Sequence, residues 1–169
     1  MAKDPRRLGD PGTAAFQVDK YPFYLLNRLV SRYRLVIDAR LRTIGLDVPY
    51  WRVLMVLGQQ SPRSVGQLAD SAVIPVSTMT RIVQRMAASG LIASTPLERD
   101  GRVIEVSLTD EGRRKLAEAR EITAPIYAKV IDGFSIEQFE ALTESLNALY
   151  DNLADLVPQR RSGGGRSGE

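Results

Sequence analysis

Apolar side chains recur at intervals of three and four between residues 20 and 44: Leu26, Leu29, Val30, Tyr33, Val36, Ile37 and Leu41. This is the period of a helix that buries one stripe, and Gly45 marks its end. Asp47 then stands where an N-cap carboxylate opens a second helix through Trp51, Val53, Leu54 and Leu57, closing before Ser61-Pro62. Ser64-Val-Gly-Gln67 fits a capping box, in which the Ser hydroxyl and the Gln side chain satisfy free backbone groups, and predicts a short third helix over 65–71. Pro75 lies at a helix start, where its missing N–H costs nothing, and Gly90 at a helix end. A fourth helix is therefore expected over 76–89. It buries Met79, Ile82, Val83 and Met86 and turns Ser77, Thr78, Arg81, Gln84 and Arg85 the other way.

After Gly90 the period drops to two. Residues 91–95 and 103–108 read as strands, with Ile104, Val106 and Leu108 alternating against Val103, Glu105 and Ser107, and the loop 96–102 joins them as a hairpin. Thr109 caps a fifth helix, with Asp110 and Glu111 near its positive end, and Leu116, Ala119 and Ile122 as its apolar side. Pro125 is expected to kink or interrupt it. A sixth helix over 135–157 carries Phe139, Leu142, Leu146, Leu149, Leu153 and Leu156. The pattern predicts a mainly α protein of about six helices with a two-stranded β wing.

The chain has 169 residues, of which 44% are hydrophobic, enough for one core. Residues 19–158 are expected to form a single unit, flanked by a disordered arm over 1–18 and a disordered Gly/Ser/Arg tail over 159–169. No apolar run approaches a membrane span and the polar start lacks a signal-peptide core, so the expected location is cytoplasmic. Cys and His are both absent. That removes thiol redox chemistry, His or Cys zinc sites, and Ser-His-Asp or Cys-His catalysis. No Gly-rich phosphate loop or carboxylate cluster takes their place, so no catalytic residue, metal or cofactor is expected and the protein is read as a non-enzyme.

Net charge is +3 and the basic residues are nearly all Arg, which suits bidentate contact with phosphate or guanine. Short helix, turn, second helix and hairpin is the order of a winged helix-turn-helix, whose second helix can enter the major groove of DNA. The DNA-binding part spans about 47–109. Arg81 and Arg85 can reach guanine edges or phosphates, Gln84 can read adenine, and Ser77, Thr78 and Thr80 can bond phosphates or bases. Ser64 at the start of the third helix joins these candidates. In the hairpin tip, Arg99 and Arg102 offer charge for a minor groove, with Asp100 bracing Arg102. The other reading of the same surface is a winged helix that makes protein contacts only.

Residues 77–86, Ser-Thr-Met-Thr-Arg-Ile-Val-Gln-Arg-Met, resemble the recognition helix of the MarR family of transcription regulators. Gly90-Leu-Ile resembles its exit, and Asp100-x-Arg102 followed by Val106-Ser-Leu-Thr-x-x-Gly112 its wing and return. Pro75, Gly101 and Ser94-Thr95 depart from the family's usual residues at their positions. The resemblance implies a symmetric dimer built from the first, fifth and sixth helices, about 20–44 and 110–157, with two winged domains reading half-sites of a palindromic operator. It also implies that Asp100 orients Arg102 into the minor groove. The apolar stripe of the sixth helix calls independently for a partner, and a second copy is the simplest one.

The resemblance further implies repression relieved by a small anionic, often aromatic, effector bound where the dimerisation helices meet the winged domain. Tyr24, Arg28 and Arg32 on the first helix, with Tyr50, Trp51 and Arg52 on the second, combine guanidinium groups with ring faces, as a phenolic acid requires. An acyl-CoA thioester would suit Arg28, Arg32 and Arg34 equally.

Overall fold

Each helix begins and ends on a local device. α1 (Pro22–Leu41) starts with proline in its first turn and passes through a 3-10 turn into Gly45, at φ 73. α2 (Val48–Gln59) is capped by Asp47, whose Oδ1 accepts from the Tyr50 N–H at 2.8 Å. α3 (Val65–Ala72) has the full capping box, with the Gln67 N–H donating to Ser64 Oγ at 3.2 Å and the Ser64 N–H to Gln67 Oε1 at 2.9 Å. α4 (Val76–Ala88) begins after Pro75, which has no side-chain oxygen to offer; its carbonyl instead accepts from both Thr78 and Met79 at 2.9 Å. α5 (Asp110–Ile131) is anchored by Thr109, whose hydroxyl donates to the Gly90 carbonyl at 2.6 Å and accepts from the Gly112 N–H at 3.0 Å. α6 (Ile136–Asp151) repeats the capping box with Ser135 and Gln138.

This computed structural model describes residues 4–97 and 100–156, and the side chains of all of these except 97, 100–102 and 155. The chain divides into two units, Met1–Lys129 and Val130–Glu169, where one unit over 19–158 was expected. In the first, Ile37 and Leu41 of α1, Val53, Leu54 and Leu57 of α2, Leu68 of α3, and Met79 and Met86 of α4 pack with Val106 as the innermost side chains. Gly112 is required here by close approach, since a Cβ at that position would lie 1.9 Å from the Leu91 carbonyl oxygen. In the second unit, α6 has no buried residue.

The expected two-stranded wing is present, and a third, short strand joins it. β1 (Arg63–Ser64) joins β2 (Ile92–Leu97) and β3 (Asp100–Leu108) in an antiparallel sheet of order β1-β3-β2. Arg63 pairs with Val106 and Ser64 with Glu105. A two-residue strand is too short to show alternation, and its partner is some forty residues away. β2 and β3 also run further toward the tip than expected, to Leu97 paired with Asp100.

Pro125 does not interrupt α5, which continues to Ile131. Pro125 and Glu121, whose carbonyl loses its donor, are both exposed, so the missing bond falls on the solvent side of the helix. α6 ends at Asp151, before a 3-10 turn over Ala154–Leu156, and not at Val157, which lies outside the described residues. Residues 4–18 also differ from a disordered arm. Pro5–Leu8 form a 3-10 turn, the Gln17 N–H donates to the Leu8 carbonyl at 2.8 Å, and Phe16, Tyr21 and Phe23 stack edge to face. The tail over 159–169 lies outside the described residues. No helix among the described residues is long and apolar enough to cross a membrane.

Candidate nucleic-acid interface and the clefts beside it

α4 is divided cleanly by burial. Met79, Ile82, Val83 and Met86 are buried, whereas Ser77, Thr78, Thr80, Arg81, Gln84 and Arg85 are all exposed. The buried side is gripped by α3 and by the start of β2, so the helix is held as a rigid rod with its polar face outward. Neither Arg81 nor Arg85 enters an ion pair among the described residues, which leaves both guanidinium groups available to an external anion. Thr80 is partly committed, its hydroxyl donating to the Val76 carbonyl at 3.0 Å. Ser64 is half-buried and serves first as the α3 cap.

In the wing, Arg99 lies outside the described residues. Asp100 and Arg102 belong to β3, and their side chains lie outside the description. Sequence reasoning missed Arg63. Its Nη1 donates to Ser71 Oγ at 2.7 Å and its Nη2 to Gln60 Oε1 at 2.9 Å, so it ties the end of α2 and the last turn of α3 to the sheet. Nothing in the local pattern marks it, because its partners sit on two different helices.

The six effector candidates do not meet in one place. The Arg28 guanidinium stands over the Tyr24 ring, 5.9 Å from its centre, and Arg28 and Arg32 line an open cleft of about 530 Å³ with Leu25 and Leu29. Arg34 lies in another hollow with Arg42, which is paired with Asp38 at 2.8 Å. Trp51 and Arg52 line a third cleft, of about 490 Å³, with Tyr33, Met55, Val56 and the end of α3 at Ser71 to Val73. Tyr33 and Met55 were not among the candidates. Both become visible only once α1 and α2 are packed together.

Tyr50 is absent from that lining. Burial pushes its phenol above the ordinary range and Asp47 adds to the rise, while the positive charge of Arg85 on α4 opposes it. The Trp51 indole N–H is buried and has no acceptor, a costly state for a lone donor. No cluster of three or more potential metal-binding side chains occurs among the described residues.

A sequence profile described as the MarR family matches residues 44–103, from the turn before α2 into β3. The chain is 33% identical over 159 residues to the HTH-type transcriptional repressor IacR of Pseudomonas putida, covering 92% of this chain and 95% of that one. A MarR family transcriptional regulator from Silicibacter pomeroyi superposes with a TM-score of 0.75 at 27% identity, over 87% of this chain and 96% of the other. Bordetella bronchiseptica BpsR, whose DNA binding is regulated by 6-hydroxynicotinic acid, shares the fold, with a TM-score of 0.68 at 22% identity over 76% of this chain and 98% of its own.

Proposed function

The chain belongs to the MarR family and is a DNA-binding transcriptional repressor of that type, and on that premise we propose that it binds a palindromic operator as a homodimer and leaves it when a small aromatic acid binds. The observation that carries the proposal is the exposed face of α4, with Arg81, Gln84 and Arg85 on a helix fixed from behind by four buried side chains. Such a face enters a major groove without rearrangement, and Arg and Gln match guanine and adenine edges there. In this reading Arg102 follows the backbone into the adjacent minor groove, oriented by Asp100, with Arg99 beside it.

The homodimer is supported by α6, where Leu142 and Leu146 remain substantially exposed within the single chain, as does Leu153 just beyond its end. A second copy would cover that stripe. The effector reading is supported by the Trp51 cleft, which is lined by one guanidinium-bearing residue, Arg52, and two aromatic residues, Tyr33 and Trp51. BpsR provides a precedent for control by an aromatic acid.

Fluorescence anisotropy against the duplex upstream of the gene, with a scrambled duplex as control, tests the whole reading. Selective binding should exceed nonselective binding by about 10³ or more and should weaken as salt rises, through counterion release. Equal and weak binding to both duplexes would instead favour a winged helix used for protein contacts. Adding 4-hydroxybenzoate should lower the anisotropy where its neutral amide does not.

A further inference from the structure

The turn between α3 and α4 contains Val73, the only non-glycine residue at positive φ among the described residues, at φ 54 and ψ 51. A β-branched side chain resists this left-handed conformation, and at 83% exposure Val73 gains little packing to offset it. The conformation has to be held from outside the residue. Backbone bonds contribute two of the restraints, from the Val73 N–H to the Asp70 carbonyl at 3.2 Å and from the Ile74 N–H to the Ala69 carbonyl at 2.9 Å. A third comes from α2: Arg52 Nη1 donates to the carbonyl of Ala72, the last residue of α3, at 3.3 Å. That carbonyl is one of the free acceptors at the negative end of the helix, where a cation is favourable. Arg52 is half-buried and forms no ion pair among the described residues.

We propose that Arg52 is a positioning residue for DNA binding: by holding the Ala72 carbonyl it keeps Val73 left-handed, and so sets the angle at which α4 leaves α3 toward the major groove. The same guanidinium lines the cleft beside Trp51. A carboxylate entering there is a stronger acceptor than a neutral carbonyl and draws Arg52 away from Ala72, so the turn loses its brace. This second step rests on the effector reading above, whereas the first rests only on the turn and its contacts.

The test is a double-mutant cycle on the full chain, read by operator affinity, with the operator obtained by selecting random duplexes on the wild-type protein. Arg52→Met should bind about tenfold more weakly, the equivalent of roughly 1.4 kcal/mol and the scale of one left-handed residue. Val73→Gly, which adopts the conformation freely, should bind like wild type. The double variant should recover to within about twofold of Val73→Gly, a rescue that simple loss of packing at Arg52 does not produce. Wild-type affinity in Arg52→Met, or a double variant as weak as Arg52→Met alone, would overturn the proposal. If Arg52→Met alone does not fold, the folded double variant decides by the same criterion.

The effector step is read with 4-hydroxybenzoate. Wild type should release DNA, while Val73→Gly, saturated with the acid as checked by calorimetry, should keep its operator. Release from both proteins removes Arg52 and Val73 from the effector step. If the acid does not bind wild type, the effector reading fails while the outcome of the ligand-free cycle still decides the role of Arg52.

Discussion

α4 and α6 are built on the same amphipathic plan and meet opposite fates. Met79 and Met86 on α4 are wholly buried, and Ile82 and Val83 nearly so. On α6, Leu142 and Leu146 follow the same helical spacing, yet the helix has no buried residue. An apolar stripe therefore specifies a helix and a face to be covered, but not what covers it. α4 finds its cover in neighbours from the same chain. α6 retains the type of surface that a second copy would complete, and the homodimer proposal rests on this contrast.

The largest effect that would sharpen the contrast is in α4. Met79→Ala should cost about 2–5 kcal/mol of stability, because a filled site becomes a cavity, and the loss should be the same at every protein concentration. Leu146→Glu should leave the secondary structure of each chain intact by circular dichroism but shift sedimentation toward monomer, and stability should lose its dependence on concentration. A monomeric wild type at micromolar concentration would break the comparison, since α6 would then be stable uncovered.

A smaller effect separates the polar face of α4 from the wing. Arg81→Ala should cost about 1–3 kcal/mol of binding, chiefly at particular base pairs, whereas Arg102→Ala should weaken binding to most sequences and reduce the salt slope by about one. Equal losses across all operator variants for Arg81→Ala would place it on phosphates and not on bases.

The smallest expected effect concerns Tyr33, which packs partly against the core from α1. Burial raises the pKa of its phenol, so the folded chain holds that proton after the unfolded chain has released it. The associated stability is complete below the unfolded pKa of about 10 and is lost as pH rises through the higher folded value. Tyr33→Phe should flatten urea-unfolding stability between pH 9 and about 11. An unchanged decline in the variant would assign the effect to other groups.

Much of the site was legible because its determinants are local. The polar face of α4 follows from residues three and four apart, and Ser64 with Gln67 forms a cap within one turn, as expected. The effector candidates were less legible. Tyr24, Arg28 and Arg32 share a helix with Tyr33, but the packing of α1 on α2 places Tyr33 beside Trp51 and Arg52 and leaves Arg28 and Arg32 in a separate cleft, with Tyr24 beneath the Arg28 guanidinium. Tyr50, next to Trp51 in the chain, does not line that cleft. Neighbouring positions on a helix point about 100° apart, so adjacency in sequence does not put two side chains into one site.

By itself the amino-acid sequence determined the six helices and the two strands of the hairpin, most of their starts, and which face of each is apolar, because period, caps and turn residues act over a few positions. It also excluded His- and Cys-based chemistry by composition alone. Only the tertiary structure decided that Arg63-Ser64 completes the sheet, that Gly112 must lack a side chain beneath the Leu91 carbonyl, and that Arg52 reaches the end of α3 at Ala72. Each of these joins positions about twenty to forty residues apart, a separation that local spacing does not encode and that packing of the elements brings within a few ångströms.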